Sequence, residues 1–366
     1  MAEISLCMIV KDEEHNLADC LDSIIGAVDE INIVDTGSSD KTVEIAKMYT
    51  ERVFDFEWID DFSAARNFSF EKATKDFIMW IDADDILSRE NFSKLLKLKE
   101  ELNDGMDYVM MKYRTLNEDG SPSLIFPKVR ITRRAMDIKW RGAVHEDLDA
   151  RGYGTSVDIC IYHKFKDLKI SRTRNMKILK KEIENGSADY RTQYYYGMAS
   201  YYEEHYREAE KYLSMVVESG QTDSFDPIEL YVALHCIYKT WGELGKAQAI
   251  LEDHEHLMED KSEYYCCLGL FYRDCLNRID SACDLFKTAL TCKGTFLRNE
   301  LQGQQNPDFY YYIPNMLLGK AYVSIQEPEE ALMYFKQSLD YRKSEEIMDL
   351  VEKLEQIVEM KQVVLV

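Results

Sequence analysis

Along the first hundred residues, short apolar runs alternate with stretches whose apolar positions recur at helical spacing. "ISLCMIV" (Ile4–Val10) is β-rich, and "NLADCLDSIIGAV" behind it has the three-and-four spacing of an amphipathic helix. "INIVD" (Ile31–Asp35) predicts a second strand, followed by "TGSSD", a turn able to cap the helix "KTVEIAKMY". "RVFDF" (Arg52–Phe56) predicts a third strand, "DFSAARNFSFEKA" a third helix and "FIMWID" a fourth strand. Such alternation predicts a parallel sheet with helices on its faces. After Asp107 the pattern changes to "DYVMMKYR", "LIFPKVRITRR" and "VDICIYHKF", three further strands, with "NEDGS" as the turn between the first two. The sheet is therefore expected to be mixed.

From about Ile170 no strand pattern remains, and the chain becomes rich in Tyr, Glu, Lys and Leu. A small-x3-large-x2-small spacing recurs at Ala282, Phe286 and Ala289, and again at Ala331, Phe335 and Ser338. Leu318, Gly319 and Tyr322 stand where a tetratricopeptide-like unit wants them, and Ala209 with Leu213 and Ala247 with Leu251 are weaker copies. Small residues let paired helices approach, and large ones fill the groove between them. The longest interval between copies holds "GTFLRNELQGQQNPD" (Gly294–Asp308), which reads as an inserted loop; a generic helical bundle is the plainer alternative for the region. Two domains follow: an α/β domain over residues 1–168 and an all-α repeat domain over residues 169–366, serving acceptor binding or homodimerisation.

Charge and composition narrow the class. A formal net charge of −22 without an offsetting basic stretch argues against nucleic-acid binding and against docking on an anionic membrane. "MAEISLCMIV" has no basic n-region or long apolar h-region, and the apolar runs are of strand length, so neither a signal peptide nor a membrane span is expected. Nine cysteines without regular spacing read as reduced thiols of a cytoplasmic protein.

In an open α/β sheet, ligands bind beyond the carboxyl ends of the strands. Here the first strand runs into "KDEE" (Lys11–Glu14), the second ends in Asp35, and the fourth ends in Asp82-Ala83-Asp84. Asp-x-Asp in extended backbone turns both carboxylates to one face, a donor pair suited to Mg²⁺ or Mn²⁺. The plain alternative is a turn that caps the helix around "SRENFSKLL". Asp35 is an acceptor for a nucleobase N–H or a solvated strand end. Arg66, in "DFSAARN", binds a phosphate or carboxylate, or pairs with a surface acid. "KWRGAVHEDL" (Lys139–Leu148) crowds Trp140, Arg141, His145 and Glu146 into a segment without clear periodicity, where Glu146 or His145 is a candidate base. His163 is a satisfied structural histidine or a ligand to a metal shared with Asp84. No Walker-type loop, G-x-G-x-x-G after the first strand or G-x-S-x-G is present.

Taken in order, "SLCMIVKDEEHNLADCLDSI", "EINIVDTGSSDKTVEIA", "DFSAARNFSFEKAT", "WIDADD", "WRGAVHED" and "IYH" resemble the family 2 glycosyltransferases of the GT-A fold, over about the first 165 residues. With helical repeats behind, the chain is similar to the subgroup that includes peptide S-glycosyltransferases acting on bacteriocin cysteines. The resemblance implies a Rossmann-like mixed-sheet catalytic domain and an inverting, metal-dependent transfer of a glucose- or N-acetylglucosamine-class sugar from a UDP-sugar to a peptide or protein. It implies that Ile9, Val10, Glu13 and Asp35 hold the nucleoside. Arg66, Asn67, Asp82, Ala83 and Arg141 would complete the nucleotide site. Asp82, Asp84 and His163 would ligate Mg²⁺ or Mn²⁺, and Glu146 or His145 would be the base. The chain departs from the pattern just after His163, where "HKFKD" replaces the usual His-x-Gly-Tyr. A cell-surface glycan transferase and a repeat adaptor with a degenerate transferase domain are the alternatives.

Overall fold

The structure is a computed structural model that describes residues 2–116, 122–164, 168–186, 188–222, 225–292, 306 and 308–364. The expected "NEDGS" turn and nearly all of the expected inserted loop lie outside the described residues. Among the described residues, the chain divides into two compact units, residues 2–196 and residues 197–364.

The first unit is built on one eight-stranded sheet. Its strands are β1 (Ile4–Val10), β2 (Glu30–Asp35), β3 (Val53–Asp55), β4 (Phe77–Trp80), β5 (Asp85–Leu87), β6 (Tyr108–Leu116), β7 (Pro122–Arg133) and β10 (Gly154–His163), in spatial order β3-β2-β1-β4-β7-β6-β10-β5. β1 to β4 are mutually parallel, β7 runs antiparallel to β4 and β6, and β5 pairs antiparallel with β10. The sheet is mixed, as the change of pattern after Asp107 predicts. A separate two-stranded hairpin joins β8 (Trp140–Arg141) to β9 (Asp147–Leu148).

Helices α1 (Leu17–Ile24), α2 (Thr42–Tyr49), α3 (Phe62–Glu71) and α4 (Arg89–Glu101) alternate with the strands. Period-two alternation splits the apolar side chains of β1 and β4 between two cores. Leu6, Met8, Phe77 and Met79 pack with Leu17, Leu21 and Leu95 on one face. Cys7, Ile78 and Trp80 pack with Phe70 and Trp140 on the other. The central strands are buried on both faces, which is why they read as unbroken apolar runs.

The strand pattern gives way to helix at α5 (Leu168–Glu184), close to the sequence boundary at residue 168. Contacts nonetheless place α5 and residues 190–196 of α6 (Tyr190–Tyr202) in the first unit. Arg174 lies over the Phe62 ring at 4.6 Å, and Lys181 pairs with Asp60 at 3.1 Å.

The second unit is all-helical and tetratricopeptide-like. A Cβ added to Gly197 would lie 2.7 Å from Leu213, one on Gly269 2.4 Å from Phe286, and one on Gly319 2.5 Å from Phe335. Each glycine therefore sits under the large residue of the next helix, and Ala209, Ala282 and Ala331 are fully buried beside it. The helix pair Pro227–Thr240 and Leu244–Glu252 departs from this. His235 stands twelve residues before Ala247, the spacing at which Gly197 precedes Ala209 and Gly319 precedes Ala331, and its Nδ1 lies 2.7 Å from the Ala247 carbonyl. All nine cysteines of the chain are free. No helix among the described residues is long and apolar enough to cross a membrane.

Candidate active site

The site grows from the carboxyl ends of β1, β2 and β4, which neighbour one another in the sheet. Register sets Ile9 opposite Val34 and Val10 opposite Asp35. Asp35 is buried, and its carboxylate accepts hydrogen bonds from Gly37 N at 3.0 Å and Ser38 N at 3.0 Å. It shapes the turn after β2, with lone-pair capacity left on Oδ1. Glu13 accepts from Asn16 Nδ2 at 2.9 Å and from two backbone amides at the start of α1 through its carbonyl.

β4 delivers Asp82, Ala83 and Asp84 into a tight turn, closed by Asp82 N donating to Asp85 Oδ2 at 3.0 Å. Helix α4 is capped by Ser88 instead, so Asp84 is not spent as its cap. Antiparallel pairing of β5 with β10 then places His163 directly opposite Asp85. His163 Nδ1 lies 3.0 Å from Asp85 Oδ1 and 3.5 Å from Asp84 Oδ1. Burial of the imidazole opposes its protonation. The Asp85 hydrogen bond and the charges of Asp84, Asp85 and Asp82 outweigh that, and the pKa of His163 is raised. Donor atoms of Asp82, Asp84, Asp85 and His163 lie within 4.8 Å of one another. Three carboxylates and an imidazole this close are a donor set for a hard divalent cation. Asp85 is the member spent elsewhere: it is fully buried against Arg130 Nη1 at 3.1 Å.

A second group of charges meets the first at Arg66. Asp61 caps α3 through Ala64 N at 2.9 Å, and one turn on, Arg66 points into the site. Its Nη2 donates to Asp82 Oδ1 at 2.8 Å and its Nε to Glu146 Oε1 at 2.6 Å. Its guanidinium also lies 4.9 Å from the Trp80 ring and 4.8 Å from the Trp140 ring. Burial disfavours the charged guanidinium, but Asp82 and then Glu146 hold it charged. Burial likewise raises the Asp82 pKa, while Arg66, Arg130 and Lys128 bring it well below the usual carboxylate range. Glu146 is thereby tied to the acidic cluster, and its second oxygen makes no hydrogen bond among the described residues.

His145 is placed differently from Glu146. Its backbone is left-handed (φ 53°), Arg191 Nη2 donates to its carbonyl, and its ring stacks on Tyr195 at 4.2 Å. The residue remains exposed, and desolvation of the ring shifts it towards the neutral form; Arg191, Lys128 and Arg174 add to this and Glu146 opposes it.

Asn67 and Arg141, two further candidates, engage other partners. Asn67 spends both ends of its amide on Trp140: Nδ2 donates to the Trp140 carbonyl at 3.0 Å, and Oδ1 accepts from Trp140 N at 2.9 Å. It anchors the β8–β9 hairpin. Arg141 follows a buried Trp140 in extended backbone, so alternation turns it outward. It is exposed and pairs with Asp149 at 2.5 Å.

Lys128 and Arg130 were not among the candidates read from the sequence. They alternate on one face of β7 and reach Trp80 at 5.4 and 3.9 Å. Two cations two residues apart in the apolar strand "LIFPKVRITRR" were the available signal.

A profile of glycosyl transferase family 2 matches residues 5–163, the segment that contributes every charge just described except those of α5 and α6. The chain carries a glycosyl transferase family 2 domain. A TPR repeat-containing protein of Synechococcus elongatus is 36% identical to it over 149 residues, 41% of this chain and 36% of that protein. The SPbeta prophage-derived glycosyltransferase SunS of Bacillus subtilis is 34% identical over 147 residues, 39% of this chain and 34% of SunS. The matched segments thus span about a third of these relatives. Among solved structures, MamA is similar over 48% of this chain and 95% of its own, at 20% identity and a TM-score of 0.36. The family 2 match runs to His163, so it includes the whole acidic cluster and both candidate bases.

Proposed function

We propose that the family 2 domain is a metal-dependent, inverting glycosyltransferase that moves a glucose- or N-acetylglucosamine-class sugar from a UDP-sugar to a polypeptide, with a cysteine thiol as the favoured acceptor. The observation that supports this most directly is Arg66, whose guanidinium joins Asp82 of the acidic cluster to Glu146. One ion network then holds the donor side and the base side of a displacement together.

In this reading Asp82 and Asp84, with His163 beside them, hold Mg²⁺ or Mn²⁺. Such an ion, when bound, neutralises negative charge on the departing diphosphate. Ile9, Val10, Glu13 and Asp35 bind the nucleoside at the ends of β1 and β2. The acceptor attacks the anomeric carbon as the bond to the UDP oxygen breaks, inverting the centre. The free oxygen of Glu146 takes the acceptor proton, while Arg66 holds that carboxylate in place through its other oxygen. A thiol asks little of such a weak base, because its pKa of about 8.5 leaves part of it as thiolate near neutral pH. His145, shifted towards its neutral form and stacked on Tyr195, shapes the acceptor side rather than taking the proton. The helix pairs of the second unit are of a kind that presents extended surfaces to polypeptides, and self-association is their other use. Nine unbonded cysteines support a reducing, cytoplasmic setting.

The test is hydrolysis of a panel of UDP-sugars with and without Mn²⁺, followed by intact-mass analysis of cysteine- and serine-bearing peptides. Turnover should need the cation and fall by about a hundredfold or more in Asp84→Asn. Full metal-dependent activity in that variant would refute the assignment.

A further inference from the structure

Three cations surround the indole of Trp80. Arg66 is paired with Asp82 and Glu146, and Arg130 with Asp85. The third, Lys128, is half-buried, and among the described residues its ammonium has neither an ion pair nor a hydrogen bond. Instead its Nζ faces three rings, Tyr113 at 4.8 Å, Trp80 at 5.4 Å and Phe126 at 5.8 Å. An ammonium has three donors to satisfy, and aromatic faces satisfy its charge without satisfying those donors.

The surroundings say what would. Burial lowers the pKa of Lys128 and so does Arg130, while Asp82 and Glu146 oppose them and Arg66 adds to the lowering. The ammonium therefore shares the electrostatic neighbourhood of the two carboxylates that Arg66 bridges. Those carboxylates pair with Arg66 rather than with Lys128, so the donors of the ammonium are left for an incoming anion. β7 lies between β4 and β6, so Lys128 rises from the middle of the sheet, beside the strand that leads into Asp82. Alternation along β7 locks it there: Lys128 and Arg130 share the Trp80 face.

We propose that Lys128 is a phosphate-binding residue of this site, donating to the diphosphate of the nucleotide-sugar and to the charge that grows on it as the sugar departs. The aromatic wall holds the ammonium in a preset position without neutralising it, so its charge is available to the ligand. This rests on the glycosyltransferase reading for the identity of the anion, but not for its existence.

Calorimetry with UDP, pyrophosphate and uridine, in Mg²⁺ buffer, separates the two. Lys128→Met keeps the stem against the rings and removes the charge. Its affinity for UDP and for pyrophosphate should fall by about ten- to a hundredfold, the range of one charge-assisted hydrogen bond. Uridine affinity should be unchanged, and Lys128→Arg should recover part of the loss. If Lys128→Met does not melt like the parent, Lys128→Gln is measured in its place. Equal UDP affinity in parent and variant overturns the role of Lys128 and leaves the transferase reading standing. An equal loss for uridine also overturns it, since that marks a packing role. Lys128-dependent binding of pyrophosphate by a protein that does not bind UDP supports the anion site and refutes the UDP-sugar donor. Binding of neither ligand refutes both.

Discussion

Replacing Arg66 with methionine removes a charge while keeping much of the stem volume. The structure sets the size of the effect. Two carboxylates, Asp82 with 24% and Glu146 with 13% of its side chain exposed, lose a partner at 2.8 and 2.6 Å. Breaking a buried pair from one side costs about 3–5 kcal/mol, and partial solvent access puts this case near the lower end. Loss of stacking on Trp80 and Trp140 adds about 0.5–2 kcal/mol for each ring. A total of roughly 4 kcal/mol at pH 7.5 is expected. The sign with pH follows from Asp82, whose folded pKa is depressed. Its contribution is present above the unfolded value of about 3.9 and is lost as pH falls through the folded one. The gap between parent and variant should therefore narrow in acid. Urea unfolding followed by tryptophan fluorescence is the assay, because two of the four tryptophans flank Arg66. Neutralising the orphaned acids in Arg66→Met/Asp82→Asn/Glu146→Gln should recover much of the loss. A destabilisation below about 1 kcal/mol, or additive effects in the combined variant, would refute the claim that Arg66 ties the two carboxylates into one unit.

Other outcomes follow from the same geometry. Asn67→Ala frees both backbone groups of Trp140 and should cost about 1–3 kcal/mol while lowering turnover through a loosened hairpin, read by melting and by UDP-sugar hydrolysis. Gly319→Ala gains up to about 1 kcal/mol of helix propensity but places a Cβ 2.5 Å from Phe335, so net destabilisation of about 1–3 kcal/mol is expected, relieved by Phe335→Leu. Desolvation pushes Glu263 up to about 7, with Oε2 buried and unbonded among the described residues, so its folded form holds a proton more tightly than its unfolded form. Stability should fall as pH rises from about 4.5 to about 7, and Glu263→Gln should be the more stable protein at pH 8 by up to roughly 3 kcal/mol and equal at pH 4.5, by urea titration at both values.

Seven of the strands, their order in the chain and the position of the Asp-x-Asp turn were legible because period and apolar run length are local properties, whereas β5, β8 and β9 carried no such pattern. Buried glycines under Leu213, Phe286 and Phe335 were half-legible: the large partners and alanines carried a spacing, yet His235 in the glycine position of one pair did not. The connections within the site were not legible, since they join residues far apart in sequence. Arg66 meets Glu146 eighty residues on, and His163 meets Asp85 seventy-eight residues back. Both meetings depend on register, which a sequence states weakly when a strand is three residues long, as β5 is, or two, as β8 is. Arg141 shows the cost. One step of alternation separates it from Trp140, and that step sends it to solvent. Asp85 shows the other side of the same rule. It is the third acid of "DADD", and extended backbone alone would set it opposite Asp82 and Asp84. The turn closes instead, with Asp85 accepting from Asp82 N, and β5 then registers Asp85 against His163 and Arg130. The acid that looked least connected to the site is the one that holds its turn, its histidine and its buried arginine in place. Asp82 and Asp84 are left to face whatever binds there.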